Sequence, residues 1–335
     1  MKACALTAWE DQHFSLEEVD LPDPGPKQIR IKTHYSGVSI GTEFAYITGK
    51  IEGKSYPMCT GYQGTGIVEA VGTDIKNFKE GDAVYFRGSK TKCLSDGRAL
   101  ASLFGTHSSA AILEPNTTHG AYHLVPGADM ETASLYVMPA VALFGVDMAN
   151  PRMGETVVVY GCGLIGLGVV ACLVHRGCTV IATDMLGARL KIAGELGADH
   201  LIDASKEDVK EEVLKLAPGG ADVVFECTGN PKCIDPSIEL CRVFGSYVWQ
   251  GYYGTAPFSM HFPPPHGRKL TMHFPCDDGL EPCRHAVIKN MALGTLKWEK
   301  CITHPVTHSG AVDIFTRIGR KDKDIVGVTI NWKEA

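Results

Sequence analysis

The sequence predicts an α/β protein with a doubly wound parallel sheet and a second, mostly β part. Three observations carry this expectation. Residues 156–184 read TVVVYGCGLIGLGVVACLVHRGCTVIATD: a strand, a tight glycine turn, an apolar helix, a second strand and a closing acid. The first 35 residues instead alternate short strand-like runs with turns, as a small β domain does. The length, 335 residues, suits two domains better than one.

Each part of 156–184 has a physical job in holding a dinucleotide. Gly161 allows the sharp turn out of the strand. Gly163 lets the backbone approach a pyrophosphate, and Gly166 lets the helix pack close to the sheet. Leu164 and Ile165 open that helix, whose free N–H groups and positive end favour phosphate. Asp184 lies 18 residues past Gly166, where a carboxylate accepts hydrogen bonds from the adenosine ribose. It would repel a 2′-phosphate, so the cofactor expected is NAD rather than NADP. A buried βαβ unit with packing glycines is the alternative, but it does not call for the terminal acid.

Bulk properties narrow the class. Apolar residues make up 44% and charged residues 21%, which is ordinary for a packed soluble protein. The net charge of -6 and the absence of a basic run argue against nucleic acid or an anionic membrane as partner. The opening MKACALTAWEDQHF lacks the apolar core of a signal peptide. No stretch reads convincingly as a membrane span. The twelve cysteines are scattered with no CxxC pair, which suits free thiols and a cytoplasmic location.

Taken in order, residues 2–7, 14–19 and 28–34 read as strands, with Leu21-Pro-Asp-Pro-Gly-Pro26 a rigid turn. Then come Tyr35-Ser-Gly-Val-Ser-Ile-Gly-Thr-Glu43, Gly61-Tyr-Gln-Gly-Thr-Gly-Ile-Val-Glu-Ala-Val-Gly72 and Phe78-Lys-Glu-Gly-Asp-Ala-Val-Tyr-Phe86. The last two runs resemble motifs of the medium-chain dehydrogenase/reductase superfamily. His119-Gly-Ala-Tyr-His-Leu-Val-Pro126, the nucleotide motif and Asp222-Val-Val-Phe-Glu-Cys-Thr-Gly229 follow in the same order, so the resemblance covers essentially the whole chain. It implies a split, GroES-like catalytic domain, residues 1–126 and 277–335, with a Rossmann domain, 127–276, inserted. The substrate is then expected in a cleft between domains. The resemblance places Cys227 and Thr228 along the cofactor, Gly251 near the nicotinamide and Arg189 beside the adenine. It also implies an edge strand over 269–274, often a dimer contact, and a homodimer or homotetramer.

The sequence departs from the zinc-dependent members of this superfamily. Those carry a Cys in GxCG(T/S)D, a His-Glu pair in GHE and a further ligand near the Rossmann entry. Here Ser39-Ile40 precedes Gly41-Thr42-Glu43, Gly61-Tyr62-Gln63 stands for GHE, and Val137-Met138-Pro139-Ala140 stands where EPLA is common. Of four structural-zinc cysteines, only Cys93 is present. No metal is therefore expected, and the substrate oxygen needs another partner. Tyr62 is the candidate acid/base. Thr42 matches the hydroxyl that relays a proton in zinc-dependent relatives. Ser39, Glu43 and Gln63 are candidates to bond substrate hydroxyls. The alternative is that Tyr62 and Gln63 only wall the pocket, while water or a histidine moves the proton.

Several histidines and cysteines gather between His261 and His285 at spacings that match no metal motif, and His266 reads as a substrate-loop or surface residue. Residues 87–118 stand where a zinc lobe would lie and are expected to line the substrate entrance, with His107 and His119 as contacts or as structural residues. Residues 206–215 read as an exposed helix. The function expected is NAD-dependent, zinc-independent interconversion of a secondary alcohol and a ketone, on a polyol, sugar or cyclitol-like small molecule. The alternatives are a hydroxyethyl-side-chain (bacteriochlorophyllide-type) dehydrogenase, an NADPH-dependent quinone or enone reductase, and a non-catalytic NAD-binding protein.

Overall fold

The computed structural model describes residues 1–51, 55–89 and 92–335, and the chain forms two compact units. One comprises residues 1–136 and 302–335, the other 137–301. In chain order the first unit holds β1 (Lys2–Ala8), β2 (Phe14–Asp20), β3 (Ile29–Gly37) and helix α1 (Ile40–Ile47). It continues with β4 (Met58–Cys59), β5 (Gly64–Val71), β6 (Ala83–Phe86), β7 (Cys93–Leu94), β8 (Ala101–Ser102), β9 (Ala110–Leu113), β10 (Ala121–His123) and α2 (Met130–Ala133). The second unit holds α3 (Val137–Ala149), β11 (Thr156–Tyr160), α4 (Leu164–Arg176), β12 (Thr179–Asp184), α5 (Gly187–Glu195) and β13 (His200–Asp203). After these come α6 (Val209–Leu216), β14 (Ala221–Glu226), α7 (Ile234–Ile238), β15 (Cys241–Trp249), α8 (Pro263–Arg268), β16 (Thr271–His273) and α9 (Leu280–Ala292). The chain returns to the first unit with β17 (Ile302–Thr307), α10 (Ala311–Gly319) and β18 (Gly327–Asn331).

Two sheets build the first unit: β7-β2-β1-β4-β8, and β10-β6-β5-β3-β18-β17 with β9 also paired to β3. The C-terminal tail belongs here because β18 lies antiparallel on β3, Ile330 opposite Ser36. Residues 87–118 do not form a separate lobe. They supply β7, β8 and β9, and β9 runs along β3 with Ile29 opposite Leu113. Lys90 and Thr91 of that stretch lie outside the described residues. An apolar core that includes Phe14, Val38, Ile47, Ile318, Val328 and Trp332 surrounds Phe315. The Phe315 ring is fully buried and meets Phe14 at 5.4 Å, Phe44 at 5.7 Å and His107 at 5.4 Å. Phe315→Ala is expected to cost about 3–5 kcal/mol, because so enclosed a ring leaves a cavity that its neighbours fill only in part. Urea unfolding followed by tryptophan fluorescence checks this, and an unshifted midpoint would refute it.

The second unit carries one sheet of six parallel strands, ordered β13-β12-β11-β14-β15-β16. Its central strands are near-continuous apolar runs, as a parallel sheet covered on both faces requires. Val157, Val158, Val159, Val180, Ile181, Ala182, Val224 and Phe225 are all fully buried. The strand order reverses between β11 and β14, the kind of switch point at which open α/β sheets bind ligands. The units divide after Tyr136 and Cys301 rather than after 126 and 276. Helix α9 packs on α3, which keeps 277–301 with the parallel sheet, and α2 packs on β3 and β5. Among the described residues no helix is long and apolar enough to cross a membrane.

Candidate active site

At the switch point the three glycines of the turn do three different things. Gly161 has φ +99°, in the region that favours glycine, and a Cβ there would sit 2.7 Å from the Thr228 methyl. Gly163 is the N-cap of α4 and has no atom within 4 Å of where its Cβ would point. A Cβ on Gly166 would lie 1.9 Å from the Gly161 carbonyl oxygen, so only glycine allows α4 so near the turn. Leu164 and Ile165 form the first turn of α4, which no side chain caps. Its outward amides are left for an anion. Both Asp184 oxygens accept backbone N–H groups, Oδ2 from Cys162 at 2.7 Å and Oδ1 from Leu186 at 2.9 Å. The acid is thereby tied to the glycine turn, with lone pairs to spare for ribose hydroxyls. Arg189 Nη1 stands 3.9 Å from Asp184 Oδ2.

Sequence reasoning missed Glu226, the last residue of β14 and fully buried. Its carboxylate accepts the Thr228 N–H at 2.9 Å, the Thr228 hydroxyl, the Gly229 N–H at 3.3 Å and the Tyr253 hydroxyl. Its main-chain oxygen accepts the Gln250 N–H at 3.0 Å and the Gly251 N–H at 2.8 Å. One acid thus welds the loop of Cys227 and Thr228 to the loop of Gly251. A Cβ on Gly251 would stand 2.4 Å from the Gly229 nitrogen, which explains the glycine. Burial first, then the neighbouring Glu226 charge, pushes the Tyr253 phenol far above its ordinary range. The available signal was an acid ending an apolar strand, where only a buried donor set would hold it.

In the first unit, Ser39 is the N-cap of α1, yet its side chain makes no cap hydrogen bond. A serine there usually accepts from an amide of the first turn. Glu43 Oε1 accepts the Ser39 N–H at 2.7 Å, a reach-back like that of a capping box. The Ser39 hydroxyl accepts from the Tyr62 hydroxyl at 2.5 Å. Thr42, exposed on α1, stands beside the Tyr62 phenol. Tyr62 is 6% exposed, and burial pushes its phenol up to about 12. The Ser39 and Thr42 hydroxyls and the Arg87 guanidinium, 5.2 Å from the ring centre, pull the other way. Phe104 meets Tyr62 edge-on at 6.1 Å.

The structure therefore brings Ser39, Thr42 and Tyr62 together and draws two other candidates inward. Glu43 was expected to bond substrate hydroxyls. It is instead fully buried, with Oε1 on the Ser39 amide and Oε2 2.8 Å from His107 Nε2. Gln63 is likewise fully buried, and Thr106 Oγ1 bonds both its main-chain N–H and its main-chain oxygen. His107 is interior rather than at an entrance. Its Nδ1 lies 2.8 Å from Ser36 Oγ, which also accepts the Trp332 indole N–H at 2.8 Å. His119 is half-buried, with Nδ1 3.2 Å from Arg87 Nη1. His266 lies on α8 and stacks on Phe262 at 5.1 Å. Among the described residues no three His, Cys, Asp or Glu side chains gather to hold a metal ion, and all twelve cysteines are free thiols.

A parallel nucleotide sheet and a β unit closed by the chain's own C-terminal tail define a two-part fold shared by many dehydrogenases. The chain belongs to the medium-chain dehydrogenase/reductase superfamily. Residues 25–130 match the alcohol dehydrogenase GroES-like domain, and residues 165–277 match the family described as zinc-binding dehydrogenase. A sorbitol dehydrogenase of Halalkalibacterium halodurans is 30% identical over 279 residues, 78% of this chain and 80% of that one. The (R,R)-butanediol dehydrogenase of Bacillus subtilis is 26% identical over 274 residues, 72% of this chain and 75% of that one. The crystal structure of the 2R,3R-butanediol dehydrogenase from Bacillus subtilis superimposes with a TM-score of 0.84 at 23% identity, covering 98% of this chain and 99% of that one.

Proposed function

We propose that the protein is an NAD-dependent oxidoreductase that interconverts a secondary alcohol and a ketone without zinc, on a polyol, sugar or cyclitol-like substrate. The observation that carries this reading is the Tyr62 phenol, bonded to the Ser39 hydroxyl and beside Thr42, where the family's zinc-dependent members place a ligand histidine. The cofactor fits the second unit, with the open N-terminus of α4 for the pyrophosphate and Asp184 for the ribose. NAD, when bound, supplies the hydride acceptor. Asp184 favours it over NADP, whose 2′-phosphate would meet a carboxylate. That a 30% identical relative is a sorbitol dehydrogenase supports a polyol.

Zinc does not fit the first unit. Ile40, Tyr62 and Gln63 offer a hydrocarbon, a phenol and an amide, not the thiolate, imidazole and carboxylate that a tetrahedral site needs. The proton therefore moves through hydroxyls. In ketone reduction, the Tyr62 hydroxyl turns its proton from Ser39 to the carbonyl oxygen and gives it up as hydride reaches the carbon. Burial keeps the phenol neutral at ordinary pH, so the proton is there to give. Ser39 holds the phenol in place, and the exposed Thr42 passes a proton in from solvent. Oxidation runs the same path in reverse.

The test is a screen of purified protein with NAD or NADP against secondary alcohols, polyols and glycosides, reading absorbance of the reduced cofactor. Turnover of a polyol with NAD, unaffected by chelators, is expected. A strong preference for NADPH with an enone would replace this reading by a reductase. Tight NADH binding without turnover would replace it by a binding protein. One tightly held zinc per chain whose removal abolishes activity would overturn the metal-free mechanism.

A further inference from the structure

Behind Tyr62 lies a chain of buried polar groups that neither the family match nor the proposed reaction assigns. It runs from Trp332 through Ser36 and His107 to Glu43, and all four side chains are fully buried. The Trp332 indole can only donate, so Ser36 Oγ accepts from it, and the same oxygen lies 2.8 Å from His107 Nδ1. The other ring nitrogen, Nε2, faces Glu43 Oε2 at 2.8 Å, while Glu43 Oε1 accepts the Ser39 N–H at 2.7 Å. Each Glu43 oxygen thus has a nitrogen partner. A buried charge held this way is costly to keep unless every partner is satisfied.

We propose that Glu43 is the positioning residue of the Tyr62 hydroxyl. Gripped by His107, it holds the backbone N–H of Ser39, fixes the N-cap residue whose hydroxyl accepts from Tyr62, and sets a negative charge behind the phenol. This deepens the reading of Tyr62 as the acid and rests on it. The geometry follows from one turn of helix. Ser39, whose hydroxyl accepts from the phenol, is the residue whose amide Glu43 holds, and Thr42, beside the phenol, is the residue before Glu43 itself. Gly61 adjoins Tyr62 and leaves room for the His107 ring, since a Cβ there would stand 2.8 Å from Cγ of that ring. The Glu43 charge raises the Tyr62 phenol's pKa, as burial does more strongly. Among the described residues, the other ionisable or charged groups around this cluster include Arg87 over the Tyr62 ring, Cys59, Lys92 bonded to Cys59, and His308, whose ring stacks on Trp332 at 6.3 Å; β3, α1, α10 and the tail also contribute Ser36, Thr42, Phe315 and Trp332.

The test follows Tyr62 directly. Protein made with 13C-ζ tyrosine gives one resonance per tyrosine, and the Tyr62 line is the one missing in Y62F. In the wild type it should stay at the neutral-phenol position past pH 10, the ordinary phenol value. In Glu43→Gln it should titrate about one pH unit lower than in the wild type. The alkaline limb of the kcat profile should move down with it, while NADH affinity is unchanged. Glu43→Asp keeps the charge but shortens the reach, so it should restore the titration and not the rate. A wild-type Tyr62 line that titrates near pH 10, or E43Q and wild-type titrations that coincide, would overturn the proposal. If E43Q does not fold, Glu43→Asp carries the test, and a Tyr62-to-Ser39 geometry, titration and rate all equal to the wild type's in that variant would overturn the proposal. Because the resonance is read without turnover, a protein that shows these shifts but oxidises no alcohol would sink the proposed reaction and leave the Glu43 assignment standing.

Discussion

Gly163→Val and Gly166→Val are both expected to abolish NADH binding, for different reasons that separate in the same experiment. At Gly163 the backbone has φ -68° and ψ 179°, which any residue adopts, and nothing lies within 4 Å of a new Cβ. Valine there should leave the fold and its melting temperature as they are. Its methyls would occupy the space in front of the α4 N-terminus, where the pyrophosphate must come within hydrogen-bond reach of the amides. At Gly166 the new Cβ meets the Gly161 carbonyl oxygen at 1.9 Å, a backbone atom that cannot swing aside. Helix α4 must then lift from β11, so binding and melting temperature fall together. An affinity loss of 100-fold or more, about 2.7 kcal/mol, is expected in both. NADH fluorescence titration and thermal unfolding supply the two readings. Wild-type NADH affinity in Gly163→Val would place the dinucleotide elsewhere.

What was legible in the sequence was what is local. Strands β11 and β12 were readable because β-branched residues run unbroken between a turn and an acid, and the glycine spacing states the turn's geometry directly. The family motifs extended that reading over the whole chain. The Glu43–His107 pair was not legible, because it joins residues 64 apart in sequence through a loop whose path nothing local specifies. Read alone, Glu43 looked like a polar group for substrate. Only the fold shows that its two oxygens are spent on the Ser39 amide and His107. Residues 87–118 were opaque for a related reason. Their Gly, Ser and Thr content resembles a loop, yet β9 is a buried strand whose partner, β3, lies about eighty residues earlier. The boundary near residue 301 depends on α9 docking against α3, a helix contact that amphipathicity hints at and only tertiary structure assigns. Conversely, Tyr62 was singled out because a motif position had changed, Ser39 as a polar group beside another, and Thr42 because it matches a hydroxyl that zinc-dependent relatives also have; in the structure the Tyr62 hydroxyl donates to Ser39, with Thr42 beside the phenol.

Tyr62→Phe is expected to lower kcat roughly 100- to 10,000-fold, the usual worth of a positioned proton donor. That corresponds to about 3–5 kcal/mol of transition-state stabilisation. The substitution removes one oxygen and nothing else from a ring that is 6% exposed, packed against Phe104 and Arg87. The β core should therefore be unaffected, and the Ser39 hydroxyl that loses its donor sits beside exposed Thr42, where water can replace it. Cofactor affinity should not change, because every group assigned to the dinucleotide belongs to the other unit. A selective fall in kcat, with NADH affinity and melting temperature both unchanged, is thus the signature of lost proton transfer. The direction of reaction sharpens it further. With the phenol raised to about 12, wild-type ketone reduction should hold its rate through neutral pH and decline only as the pH rises toward that value and the proton is lost. In Tyr62→Phe that alkaline decline should vanish along with most of the rate. A phenylalanine variant that keeps both the wild-type rate and the alkaline limb would show that water or another side chain moves the proton, and that Tyr62 is only wall.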